Sequence, residues 1–150
     1  MVRKLLKTPL YSQHIKSGAK IIPFAGWKMP LQYKNGILFE VRSVRTSVGM
    51  FDVSHMGQLS IEGKDDLAII LETIIPCDLK KIKLNQSKYS FLTNEKGGIC
   101  DDLIVTKVEK GFNIILNAAC KKNDFVIIKK ALKDKFKLTL HDDLSLIALQ

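Results

Sequence analysis

Three consecutive stretches constrain the fold of this chain more than any others: Lys88 to Thr93 (KYSFLT), Asn94 to Gly98 (NEKGG), and Ile99 to Thr106 (ICDDLIVT). Two apolar segments joined by turn-forming residues that end in Gly-Gly predict a β-hairpin, because glycine supplies the positive φ such a loop requires. Phe112 to Leu116 (FNIIL) adds a third strand. Side chains alternate across a strand, so Asp101 and Asp102 point to opposite faces and Ile104 shares the side of Asp102. One acid then faces solvent or the turn, and the other the covered face of the sheet. A carboxylate held among Ile and Val is costly unless hydrogen bonds or a cation compensate it, which makes it a candidate for chemistry. The plainer alternative is a pair of acids that solubilises a strand start, and the pattern alone favours it.

The remaining periodicities supply helices and further strands. Thr8-Pro9 predicts the start of a short helix, with Thr8 as its N-cap and Gly18 closing it. Ile21 to Tyr33 is rich in aromatics but broken by Pro23, Gly26 and Pro30, which predicts a well-packed irregular crossing with Phe24 and Trp27 as a core plug. Gly36 to Ser47 has the spacing of an amphipathic helix ending at Gly49. Met50 to Ile61 is strand-like at both ends around Ser54-His55. Asp52, Ser54 and His55 are too close together in one extended segment to converge as a hydrolase triad, and no nucleophile elbow surrounds Ser54. His55 is expected to be structural, bonded to nearby backbone.

Lys64 to Ile75 predicts a helix with Asp65 and Asp66 in its first turn and Pro76 as its stop. Ala119 to Phe136 predicts another, with Phe125, Ile128, Ala131, Leu132 and Phe136 inward and lysines outward. Lys137 to His141 and Leu144 to Leu149 read as short strands. Helices and strands intersperse without a βαβ repeat or a phosphate-binding glycine fingerprint, so the expected class is α+β with one core. The chain stops at Ser145-Leu146-Ile147-Ala148-Leu149-Gln150, inside what reads as a buried strand, the pattern of a truncated sequence.

Composition narrows the functional classes. The 150 residues are 46% apolar and 26% charged, and no apolar run approaches a membrane span. The basic start Met1 to Lys7 lacks the apolar core and cleavage site of a secretion signal, so a cytoplasmic location is expected. Cys77, Cys100 and Cys120 lie far apart without metal-ligand spacing and read as reduced thiols. The net charge of +9 rests on lysine, with Arg3, Arg42 and Arg45 the only arginines. Without clustered arginine forks or stacking platforms, a nucleic-acid role is not favoured; the lysines suit steering of an acidic substrate or partner.

Four stretches together resemble the aminomethyltransferase family, the T-protein of the glycine cleavage system: FAGWKMPLQY (Phe24 to Tyr33), VGMFDVSHMGQ (Val48 to Gln58), GGICDDLIV (Gly97 to Val105) and LNAACKKND (Leu116 to Asp124). The opening TPLYSQH and the closing LIALQ are similar to that family too. The resemblance implies a three-domain cloverleaf fold enclosing a tetrahydrofolate pocket, with residues 1–150 as the N-terminal part of the folate-binding domain. It implies transfer of a one-carbon unit from an aminomethyl group, carried on the lipoyl arm of H-protein, to tetrahydrofolate, giving methylenetetrahydrofolate and ammonia. By matching positions, Asp102 corresponds to the family's catalytic acid, with Asp101 its adjacent alternative. Met56, Tyr89, Ile104 and Asn117 correspond to residues lining the folate pocket.

Each of these positions also has an ordinary structural role open to it: core for Met56 and Ile104, a cross-strand partner for Tyr89, a strand-end turn residue for Asn117. The resemblance implies no metal, membrane or nucleic acid, and a mitochondrial matrix location would call for a transit peptide that is not visible. The family's later acidic and arginine folate ligands lie beyond this sequence, which leaves the activity of the 150-residue chain open. Folate-dependent demethylating enzymes share the scaffold but usually carry a flavin domain upstream, whereas this chain starts almost at TPLY. A tRNA-modification relative is not expected to keep FAGWKMP and FDVSHMG. A lysine-rich nucleic-acid-binding module would bind with steep salt dependence.

Overall fold

A computed structural model describes residues 4–150. Met1, Val2 and Arg3 of the basic start lie outside the described residues, as does the side chain of Asp65, one of the two acids expected in a helical first turn. In chain order the elements are β1 (Leu6–Lys7), α1 (Tyr11–Lys16), β2 (Lys20–Phe24), β3 (Trp27–Gln32), α2 (Ile37–Thr46), β4 (Met50–Asp52) and β5 (Gly57–Glu62). There follow α3 (Asp65–Leu71), β6 (Ser87–Thr93), β7 (Ile99–Val108), β8 (Gly111–Leu116), α4 (Lys121–Leu132), β9 (Lys137–His141) and β10 (Ile147–Leu149). Two compact units contain them: Met56–Asp142, and residues 4–55 with Asp143–Gln150. Among the described residues no helix is long and apolar enough to cross a membrane.

In the unit of residues 4–55 and Asp143–Gln150, the expected irregular crossing is instead a hairpin. Ala25 and Gly26, both at positive φ (47° and 84°), turn β2 back onto β3. Two successive positive φ angles match the right-handed twist of paired strands, which reconciles proline and glycine with regular structure. Pro23 lies on the edge strand β2, and Pro30 lies beyond Trp27 and Lys28, the residues of β3 that pair with β1. Neither ring therefore interrupts a two-sided ladder. Trp27 is buried as expected, but Phe24 is 55% exposed and sets its ring edge-on to His55 at 5.8 Å.

Thr8 is not the N-cap of α1. Leu10 holds that position without a side-chain bond, while the Thr8 hydroxyl donates to Asp52 Oδ2 at 2.7 Å. A carboxylate is the stronger acceptor, and Asp52 also takes His14 Nε2 at 2.7 Å and the Ser54 N–H at 2.9 Å. Tyr33 completes the cluster at His14 Nδ1, 2.7 Å away. Gly18 closes α1 at φ 72° as expected. Helix α2 forms where its spacing predicts, yet none of its residues is buried and Leu38 is 86% exposed. β10 pairs antiparallel with β4, and Ile147 and Leu149 are exposed, so the expected buried terminal strand is an open two-stranded ladder.

The Met56–Asp142 unit is an antiparallel five-stranded sheet in the order β6-β7-β8-β5-β9. The alternation read in the sequence places Leu103 and Val105 on the covered face, with Leu59, Ile61, Leu92, Phe112, Ile114 and Leu116 from the neighbouring strands. Leu67, Leu71, Ile75, Leu79, Ile128 and Leu132 close over them. Each such side chain stabilises the fold by roughly 1.5–3 kcal/mol relative to exposure. α3 ends at Leu71 rather than Ile75, and a short 3₁₀ turn at Leu79–Lys81, capped by Asp78, was not foreseen. α4 ends at Leu132 rather than Phe136 because Lys133 and Asp134 both adopt left-handed backbone (φ 50° and 55°). One lysine expected outside, Lys121, is buried. Gly111 connects β7 to β8 at φ 145°, where any Cβ would run into the carbonyl oxygen of Ile61.

Candidate functional site

The candidate site lies on the opposite face of this sheet. Asp102 pairs in register with Phe91, and Ile104 with both Tyr89 and Ile115, so alternation sets these five side chains on the uncovered face. Tyr89 is 64% exposed and Ile104 40%. Tyr89 and Phe91 meet edge to face at 5.5 Å, forming an apolar platform beside the Asp102 carboxyl. Asp101 takes the other face, with Leu103 and Val105.

Asn117, directly after β8, joins the two acids. Its side-chain amide donates to Asp102 Oδ1 at 2.8 Å and to Asp101 Oδ1 at 3.0 Å, with a longer bond of 3.3 Å to the Asp102 carbonyl. The backbone N–H groups of Cys120 and Lys121 both donate to the Asn117 carbonyl, tying this corner to the start of α4. Met56 immediately precedes Gly57, whose register partner is Leu116, so Met56 and Asn117 border the same end of the sheet. The structure thus gathers Asp101, Asp102 and Asn117 into one hydrogen-bonded corner, with Tyr89 and Ile104 as cross-strand partners and Met56 at the margin.

The electrostatics divide along the same line. Burial raises the Asp101 carboxyl, but hydrogen bonds from Asn117, Asp124, the Asp102 N–H and Cys120 outweigh it and hold Asp101 below the usual carboxylate range. Loss of water raises the Tyr89 hydroxyl, as do the charge of Asp102 and a hydrogen bond to it. Burial, followed by the Asp101 and Asp124 charges, pushes up the Cys120 thiol. An anchored carboxyl beside an apolar, aromatic shelf can accept hydrogen bonds from a flat heterocycle or stabilise a developing cation against it.

Sequence reasoning missed Phe91, Ile115 and Asp124. The first two were legible as the alternate partners of Tyr89 and Asn113 along their strands. Asp124 was legible as a member of the stripe Asp124, Ile128, Leu132, spaced by four along α4. A concavity of about 980 Å³ lies elsewhere, between the β6–β7 turn, α3 and α4, lined by Ile70, Ile74, Cys100, Ile127 and Lys130 among others. Among the described residues that line it, Glu95 is the only carboxyl.

Residues 10–150 match the family model described as the GCVT N-terminal domain. The chain is 43% identical to the mitochondrial aminomethyltransferase of Dictyostelium discoideum over 98% of its own length and 38% of that protein's. It is 40% identical to the aminomethyltransferase of Desulfitobacterium hafniense strain Y51, covering 98% of this chain and 40% of that one. Among solved structures, the glycine cleavage system aminomethyltransferase T from Bartonella henselae superposes with a TM-score of 0.83 at 38% identity, over 97% of this chain and 40% of that one. The chain therefore spans about two fifths of the length of the relatives it matches. On a model match to 141 residues of the 150, with relatives at 40–43% identity, the chain belongs to the GCVT N-terminal domain family.

Proposed function

We propose that this chain is the N-terminal part of a folate-binding domain and contributes the reacting corner of a tetrahydrofolate-dependent aminomethyltransferase of the glycine cleavage system. The observation that carries this reading is the Asp102 carboxyl, fixed by Asn117 at 2.8 Å beside the exposed Tyr89 and Ile104. Those residues fit a reduced pterin: its flat ring suits the apolar shelf, and its ring N–H groups suit a carboxyl acceptor. Bound tetrahydrofolate supplies the nitrogens that accept the one-carbon unit. In balance, the aminomethyl carbon loses its bonds to nitrogen and to the lipoyl sulfur, gains two to folate nitrogens, and ammonia and the free thiol leave.

The residues of this chain have separable roles in that reading. Asp102 accepts a hydrogen bond from the ligand and offsets positive charge that develops on the transferred carbon. Asn117 fixes its direction, Tyr89 and Ile104 exclude water from one side, and Met56 borders the ligand at the sheet end. The aminomethyl group is proposed to arrive on a lipoyl-carrying H-protein, with the basic surface along α4 drawing an acidic carrier. The location proposed is cytoplasmic. The test is transfer from aminomethyl-loaded carrier to tetrahydrofolate: Asp102→Asn should abolish most of it with an unchanged circular dichroism spectrum. Loss from Asp101→Asn with Asp102→Asn still active would move the role from Asp102 to Asp101.

A further inference from the structure

Asp124 lies in the first turn of α4, 1% exposed, with no donor reaching either carboxyl oxygen. The carboxyl of Asp101 on β7 faces it, and Asp101 Oδ2 is likewise buried without a partner. When one of two facing acids keeps its proton and donates it to the other, two of these three orphaned carboxyl oxygens are satisfied by one hydrogen bond. The surroundings decide which. Asp101 already receives the Asn117 amide at 3.0 Å, the Asp102 N–H and the Cys120 thiol, all of which favour its charged form. Asp124 has none of these. Of the other charged groups nearby, Lys121, one turn earlier, sends its ammonium to Asp142 at 3.4 Å, and Asp102 lies beyond Asn117.

We propose that Asp124 is a positioning residue for the candidate site: its carboxyl donates a hydrogen bond to Asp101, which holds the Asn117 amide and so sets the direction of the Asp102 carboxyl. The chain runs from Asp124 to the Asp101 carboxyl, from Asp101 Oδ1 to Asn117 Nδ2, and from Asn117 Nδ2 to Asp102 Oδ1; Asp101 Oδ2, buried and otherwise without a partner, is the oxygen left to accept from Asp124. It links the covered face of the sheet to the open face across the end of β8. Burial and the Asp101 charge push the Asp124 carboxyl up to about 7, so the donor is present at neutral pH and leaves as pH rises. The consequence for folate rests on the function proposed above, whereas the network itself does not.

The test separates the two. Nitrogen-15 spectra of the Asn117 side-chain amide and carbon-13 spectra of the aspartate carboxyls would be recorded on this chain from acid to alkaline pH. The Asp124 carboxyl should titrate near 7, and the Asn117 amide should shift with the same midpoint. In Asp124→Asn, whose amide donates at every pH, the Asn117 resonance should lose that titration. Asp124→Leu, which has no donor, should weaken tetrahydrofolate binding about tenfold, and Asp124→Asn should restore it to within about twofold. An Asn117 amide that stays still while Asp124 titrates would overturn the proposal, as would a folded Asp124→Leu that binds and resonates like wild type. If wild type binds no folate, the Asn117 titration alone decides the network. If Asp124→Leu does not fold, Asp124→Asn still decides it.

Discussion

The amide nitrogen of Asn117 lies 2.8 Å from Asp102 Oδ1 and 3.0 Å from Asp101 Oδ1, so one side chain at the end of β8 fixes two acids that belong to opposite faces of β7. Removing it frees both. Asn117→Ala should weaken tetrahydrofolate binding about tenfold, the scale of one or two hydrogen bonds to a charged group. Isothermal titration of the variant against wild type measures this, with circular dichroism to verify the fold. Asn117→Asp, which replaces the donor by a third carboxyl, should cost more.

Asp52 predicts a stability that falls in acid. Burial raises its carboxyl, but the hydrogen bonds from His14, Ser54 and Thr8 prevail and hold it below the ordinary aspartate range. A group whose folded value is lowered contributes its stability above the unfolded value, about 3.9, and loses it as pH falls through the folded value. Asp52→Ala should erase that acid slope and destabilise the fold by about 1–3 kcal/mol for a buried donor left unpaired. Thermal melts between pH 2 and pH 7 read both effects. Asp124 has the opposite sign: its raised value makes the folded state hold a proton the unfolded chain has lost, so its contribution worsens from about pH 4 up to about 7.

Gly111 should tolerate no side chain. Its φ of 145° and the carbonyl of Ile61 directly in the path of a Cβ leave nowhere for a methyl group, and the obstacle is backbone of the paired strand β5. Gly111→Ala should destabilise by about 1–3 kcal/mol, and urea denaturation should show a lower midpoint with unchanged slope.

Charge reversal of Lys129 and Lys130 on α4 should slow transfer from an acidic carrier on the order of tenfold at low salt, with little effect near 1 M salt. Rates that are identical across salt concentrations would place the carrier elsewhere.

The hairpin of β6 and β7, the third strand, and the opposed faces of Asp101 and Asp102 were legible in the sequence because period-2 alternation and a Gly-Gly turn act locally. The corner itself was not. Asn117, Asp101 and Asp124 come together through strand register and the docking of α4, and no local pattern encodes those. The hairpin of β2 and β3 was misread for a related reason: Pro23 and Pro30 argue against a strand until one knows that each sits where a ladder has only one side. The reach of Thr8 to Asp52, over 44 positions, outweighed a local capping preference in the same way. Resemblance to a known family pointed to Met56, Tyr89, Ile104 and Asn117 as a set where pattern alone offered only ordinary core and turn roles.

The most direct measurement is a calorimetric titration of this chain with tetrahydrofolate, in wild type and in Asp102→Asn, on samples shown by circular dichroism to be folded. Saturable binding by wild type that is weakened at least tenfold in Asp102→Asn is the expected result. Binding that is indifferent to Asp102, or a folded wild-type chain that binds no tetrahydrofolate, would contradict the assignment of the open sheet face as the folate site.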